Sequence, residues 1–153
     1  EQTHINVDLE DSCKNYCLFK LNSKKDNWYY IDSINENKNI DSYIYTNEIY
    51  SVIKDITPPI IKDIYPGFGG NYQIKNIDAF SFKFNDDLSG VNPYKSKIYI
   101  NNQKIFIEYI PYRNLIRTIN NDDLKIGENS IKIILIDNAG NIQESTGIIN
   151  IIE

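Results

Sequence analysis

The stretch FSFKFNDDLSG, residues 80–90, decides how this chain is read. Phe80, Phe82 and Phe84 alternate with Ser81 and Lys83. Successive side chains of a strand point to opposite faces, so the three rings share one face. The run then meets Asn85, Asp86, Asp87, Ser89 and Gly90, and there a strand should end. Asp and Asn accept hydrogen bonds from the backbone two residues on, and Gly and Asn tolerate positive φ.

The same rhythm of strand and turn runs outward in both directions. KIYI (97–100) and KIFIEYI (104–110) flank Asn101-Asn102, which reads as a hairpin turn. In the second of these, Ile105, Ile107 and Tyr109 should share a face. YRNLIRTI (112–119) follows Pro111 as a further strand. SIKIILI (130–136) and GIINII (147–152) are short apolar runs of the kind buried against a second sheet. The intervening NAGN should be their tight hairpin. Towards the N-terminus, THINVDL, YCLFKL, WYYIDSI, DSYIYT and EIYSVI are short β-branched or aromatic segments separated by Asn, Lys and Asp. No segment of helical length carries a 3.6-residue period. Pro58 and Pro59 cannot sit inside a sheet ladder and favour a stiff extended connector.

The expected fold is therefore all-β, in two domains. Residues 1–56 make a small or partial β-rich domain, and residues 57–153 make an immunoglobulin-like β-sandwich of about seven strands. A segment as short as the first buries little core by itself. It is either a small five-stranded unit or the C-terminal part of a truncated domain. Trp28 and Tyr30 alternate with Tyr29 and Ile31, and the size of Trp28 makes it the expected core anchor there.

Composition narrows the function. The formal net charge is −5 with a sequence pI near 4.9, and Lys and Arg are interspersed with Asp and Glu. Without a basic stripe, nucleic acid and anionic membrane surfaces are poor partners. No apolar run approaches the ~20 residues of a membrane-spanning helix. Met is absent, so we read the chain as a processed product or a piece of a longer polypeptide. The heavy use of Ile and Asn reads as coding bias. Cys13 and Cys17 lie close in SCKNYC and fit either small buried side chains or a local disulfide. The single histidine, His4, cannot complete a structural zinc set with them.

In order along the chain, DITPPIIKDIYP, FSFKFNDDLSGV, IYINNQKI and LKIGENSIKIILIDNAGN resemble the bacterial Ig-like domains strung along secreted surface proteins. The combination of D-x-x-P-P, D-D-x-S-G-V, L-x-x-G-x-N-S-I and D-N-A-G-N carries the resemblance, which covers residues 55–153. The preceding NWYYIDS…DSYIYTNEIYSVIKD looks like the end of the β-rich domain that often precedes such a module, among other places in C-terminal regions of lysostaphin-like peptidoglycan endopeptidases. The resemblance implies a spacer, adhesive or stalk module in an extracellular or cell-surface setting. Fold alone does not fix function.

Catalysis finds little footing in these residues. Zinc hydrolysis needs at least three ligands, and Ser-His-Asp or Cys-His chemistry would have to use His4, which stands beside no nucleophile motif. Asp86-Asp87 and Asp122-Asp123 are adjacent pairs that point apart on a strand, unlike the converging carboxyls of a glycosidase. Calcium, which takes six to eight oxygens, is the sharper candidate. Asp86, Asp87, Asp137 and Asn138 could supply ligands if their loops meet, joined by Asp55 from the connector. The simpler expectation is that both loops are turns and that no cofactor is held. Tyr65, Phe68 and Tyr72, within the glycine-rich YPGFGGNYQ, form a candidate contact surface. The expected function is a non-catalytic module acting as spacer, adhesive or targeting segment. Its partners would be a protein or a cell-surface glycan, together with adjacent domains of the same polypeptide. Two alternatives stand beside it: an accessory region of a zinc peptidoglycan endopeptidase, and an assembly subunit in which THINVDL pairs with a neighbour's sheet edge.

Overall fold

The computed structural model describes residues 1–9, 14–35 and 37–153, and among these there are strands and two short 3-10 turns but no α-helix. The chain forms two compact units. The first comprises residues 1–58 together with 86–90 and 137–141, and the second residues 59–85, 91–136 and 142–153. The division between Pro58 and Pro59 falls two residues beyond the expected boundary. What the sequence did not suggest is that the two Asp-rich loops belong with the first unit.

Among its described residues the first unit holds five strands: β1 (Gln2–Asp8), β2 (Tyr16–Asn22), β3 (Asn27–Ser33), β4 (Asn39–Tyr45) and β5 (Tyr50–Lys54). β1 pairs antiparallel with β4, and β2 lies between β3 and β5. Cys17, Leu18 and Phe19 are consecutive on β2 and all at most 2% exposed. Neighbours on a strand face opposite ways, so β2 is covered on both sides. With Ile40 of β4 these are the buried apolar side chains among the unit's described residues. The expected anchor is corrected here. Trp28 lies on the edge strand β3 and is only half-buried, while Phe19 fills the centre and meets the edge of the Tyr30 ring at 6.2 Å. Cys13 is outside the described residues, and a pairing with Cys17 falls outside them too.

The second unit is a sandwich of nine strands: β6 (Ile60–Tyr65), β7 (Asn71–Gln73), β8 (Ser81–Asn85), β9 (Lys97–Ile100), β10 (Gln103–Ile105), β11 (Ile107–Ile110), β12 (Leu115–Thr118), β13 (Gly127–Ile136) and β14 (Ile142–Ile152). One sheet has the order β10-β9-β13-β14-β7 and the other β11-β12-β8-β6. Both contribute to one apolar cluster, in which Phe80, Phe82, Phe84 and Ile116 meet Ile98, Ile100, Ile131, Ile133, Leu135, Ile149 and Ile151. Phe82 is 1% exposed and Phe84 stacks on Tyr109 with centroids 5.5 Å apart. Asn101 and Asn102 take φ of 52° and 65°, and Gln103 pairs with Ile100, which is the two-residue hairpin expected.

KIFIEYI does not form the single strand expected of it. It breaks at Phe106: β10 pairs with β9 in one sheet and β11 with β12 in the other. Ile105 is buried, whereas Phe106 is 83% exposed at the crossing. The N-terminal end of YRNLIRTI is likewise a 3-10 turn over Pro111–Arg113, closed by Asn114 at φ 49°. Gly147 has a packing reason. A Cβ there would lie 2.2 Å from Cγ of Phe68, whose ring packs on the core through that gap.

Two outcomes follow for urea unfolding. Phe82→Ala should lose about 3–5 kcal/mol as a cavity opens in the core, while Phe106→Ala should stay within about 0.5 kcal/mol. Equal losses at the two positions would contradict the switch of sheets at Phe106. Gly147→Ala should cost about 1–3 kcal/mol by overpacking against Phe68, and an unchanged melting midpoint would show that the ring yields without cost.

Candidate functional site

Three aspartates sit where strands end. Asp55 follows β5, Asp86 follows β8 and Asp137 follows β13. Each turns its carboxylate back onto backbone N–H groups. Asp55 Oδ1 accepts from Thr57 N at 3.1 Å and its Oδ2 from Ser89 N at 3.0 Å. Asp86 Oδ1 accepts from Leu88 N at 3.2 Å and Gly90 N at 2.6 Å. Asp137 Oδ1 accepts from Asn141 N and its Oδ2 from Asn141 Nδ2, both at 2.8 Å. Gly90 at φ 78° and Gly140 at φ 91° allow the two loops to fold this tightly.

Amide side chains then bind the loops to one another. Asn138 Nδ2 donates to the carbonyls of Ser89 and Gly90 at 2.9 and 3.1 Å. Asn141 Nδ2 donates to Asp55 O at 2.9 Å. Asn15 Nδ2 donates to Ala139 O at 2.9 Å and to Asn141 Oδ1 at 3.0 Å. The result brings a carboxylate oxygen from each of Asp55, Asp86 and Asp137 within 4.8 Å of the others. Asp55 is 2% and Asp137 0% exposed, and Asp86 is half-buried.

Burial pushes the Asp137 carboxyl above its ordinary value; the Asn141 hydrogen bonds oppose this, and the charges of Asp55 and Asp86 add to it. The same holds for Asp86, where burial acts first, the N–H groups of Gly90 and Leu88 oppose it, and Asp55 and Asp87 reinforce it. Cys17 feels the same field. Burial, then the charges of Asp55, Asp137, Asp32 and Asp86, push its thiol up to about 12. Such a thiol is no nucleophile at neutral pH.

Of the five calcium candidates read from the sequence, three converge. Asp87 is exposed and outside the group, and Asn138 spends its amide on backbone carbonyls. The loop IDNAGN is the expected turn, with a buried carboxylate inside it. Asn15 and Ser89 belong to the site and were not singled out. Asn15 lies 126 residues from its partner Asn141, a separation that leaves no local pattern. Tyr65, Phe68 and Tyr72 are placed elsewhere, in the second unit. Phe68 and Tyr72 are half-buried against the sandwich core and the Tyr72 hydroxyl accepts from Gly67 N at 2.9 Å, so only Tyr65 is exposed, at 45%. No helix among the described residues is long and apolar enough to cross a membrane.

A raised carboxyl binds its proton more tightly in the folded chain than in the unfolded one. It contributes stability below the unfolded value near pH 4, and that contribution is lost as pH rises through the raised folded value. In chelator-treated protein, stability should therefore fall as pH climbs above about 4. Asp86→Asn should flatten that fall, as read by urea midpoints from pH 4 to 7. A wild-type profile that rises through this window would show the cluster to be fully ionised and compensated without protons.

No family model matches the sequence, and no curated protein matches it. Among solved structures the chain is similar to CopC from Methylosinus trichosporium OB3b, at 15% identity and a TM-score of 0.48, over 61% of this chain and 92% of that one. It is also similar to the CbhA fibronectin(III)-like modules of Clostridium thermocellum, at 11% identity and a TM-score of 0.46, over 99% and 85%. The SrpA adhesin of Streptococcus sanguinis aligns at 17% identity and a TM-score of 0.43, over 65% and 60%.

Proposed function

We propose that this chain is a non-catalytic β-sandwich module of a bacterial secreted or surface protein, serving as spacer, adhesive or targeting segment, and that calcium closes its carboxylate cluster. The observation that carries the metal is the convergence of Asp55, Asp86 and Asp137 within 4.8 Å, two of them almost fully buried. Buried like charges repel strongly in a medium of low permittivity. The N–H donors on Asp55 and Asp137 offset part of that cost, and protons or a cation would offset the rest. The donors are all hard oxygens, which suits calcium and not zinc or copper.

The spacer role draws support from the residues that would bind the ion. Asp55 lies three residues before Pro58 in the connector, and Asp86 and Asp137 head the loops 86–90 and 137–141. An ion held among them would fix three separate segments at once, so the loops would stiffen where extracellular calcium is plentiful and loosen where it is scarce. The Ig-like sequence resemblance supports an extracellular setting.

Thermal unfolding tests the metal directly. A module of this kind binds with a Kd of about 10⁻⁴–10⁻³ M, so a few millimolar calcium should stabilise by about 1–2 kcal/mol. For a chain of this length that is a rise of several degrees. Asp137→Ala and the milder Asp86→Asn should each abolish the gain. An equal rise with magnesium would make the cluster a site for divalent cations in general; no rise with calcium, or a gain that survives both substitutions, would leave it as a proton-sharing clasp only.

A further inference from the structure

The sheet of β1 and β4 presents an exposed face of polar and aromatic side chains. Its register sets Gln2 opposite Tyr45, His4 opposite Tyr43 and Asn6 opposite Asp41. These six alternate along their strands and therefore share a face. All six are exposed, Tyr43 at 62% and Tyr45 at 56%. The imidazole of His4 lies 5.1 Å from the Tyr43 ring, tilted by 56°, and its Nε2 is hydrogen bonded to Asp41 Oδ1. The apolar residues of the two strands, Ile5, Val7, Ile40 and Ile44, point the other way and are buried or half-buried. Nothing in the core requirement forces two tyrosines onto the wet side.

The composition of the face selects a partner. Tyrosine is common in protein–protein patches too, but no aliphatic side chain stands among the six to make an apolar centre, and Asp41 places a charge there. None carries a fixed positive charge, and Asp41 is acidic, so polyanions would meet repulsion without compensation. The remaining chemistry suits an uncharged chain with apolar C–H faces and closely spaced hydroxyls. A tyrosine ring stacks on the C–H face of a pyranose. Gln2, Asn6 and Asp41 offer amide donors and carboxyl acceptors to vicinal hydroxyls. The two tyrosines are two residues apart on one strand, about 7 Å, within the span of a disaccharide. We propose that this face binds a neutral polysaccharide, with Tyr43 and Tyr45 stacking on neighbouring sugars. The inference uses no residue of the carboxylate cluster and stands or falls apart from calcium.

The test is a titration of the ¹⁵N-labelled full chain with cellohexaose, mannohexaose and chitohexaose, with polygalacturonate as the anionic comparison. At least one neutral hexaose should shift amide signals confined to residues 2–8 and 39–45. Tyr43→Ala and Tyr45→Ala should each weaken binding about tenfold, ~1.4 kcal/mol, and Phe106→Ala should not. Because an alanine at β4 could disturb the sheet, Gln2→Ala provides a second variant expected to weaken binding at an unchanged melting temperature. The proposal is overturned if none of the three hexaoses shifts these signals. It also fails if the tyrosine variants bind as well as wild type, or if polygalacturonate binds equally well. Concentration-dependent shifts of the same residues without sugar would assign the face to self-association, and that too overturns it.

Discussion

A buried carboxylate is costly unless N–H donors or a counter-charge replace its water, and this constraint shapes the first unit. Asp55 and Asp137 are withdrawn from solvent almost completely. Each is tolerated because its oxygens receive backbone or amide donors from the turn that follows or from a neighbouring loop. The loops can be tight only because those carboxylates cap them, and the carboxylates can be buried only because the loops are tight. Asp55, accepting from Ser89 N and Asn141 Nδ2, and Asn15, donating to Ala139 O and Asn141 Oδ1, tie the segments 86–90 and 137–141 to residues 1–58.

Much of the sandwich was legible because its determinants are local. Alternation in FSFKF put Phe80, Phe82 and Phe84 on one face, and all three are buried. Asn101-Asn102 announced its turn for a similarly local reason, the readiness of Asn to take a left-handed conformation. KIFIEYI misled because a strand that changes sheets keeps its period-two pattern on both sides of the break. Only the non-local partners, β9 for one half and β12 for the other, reveal the crossing. Trp28 misled for a related reason: residue size speaks to burial, but strand order decides which strand is central.

The candidate site was half legible. Asp55, Asp86 and Asp137 could be named from turn motifs, yet whether those turns meet is a question of tertiary geometry. Asn141 stood inside a quoted motif, while Asn15 had no local mark at all. The abundance of asparagine looked like coding bias, but the fold uses it. Asn15, Asn47, Asn101, Asn102 and Asn114 all hold positive φ, where glycine is the usual choice. The sequence contains only 7 glycines. Asparagine here supplies both a backbone conformation and an amide, and at Asn15 the amide joins the loop network.

The longest ladder in the protein joins β13 to β14 over ten residue pairs, from Gly127 with Ile151 to Ile136 with Ile142. On its other edge β14 runs parallel to β7 through Asn150, Ile151 and Ile152. Tension applied along the axis of β14 would load these rungs in shear, so that they share the force and do not open one after another. A strand held in this way yields abruptly and at high load, whereas a hairpin peeled from its open end gives way gradually. The hydrogen-bond geometry of one strand pair thus gives the sandwich a direction in which it is mechanically strong.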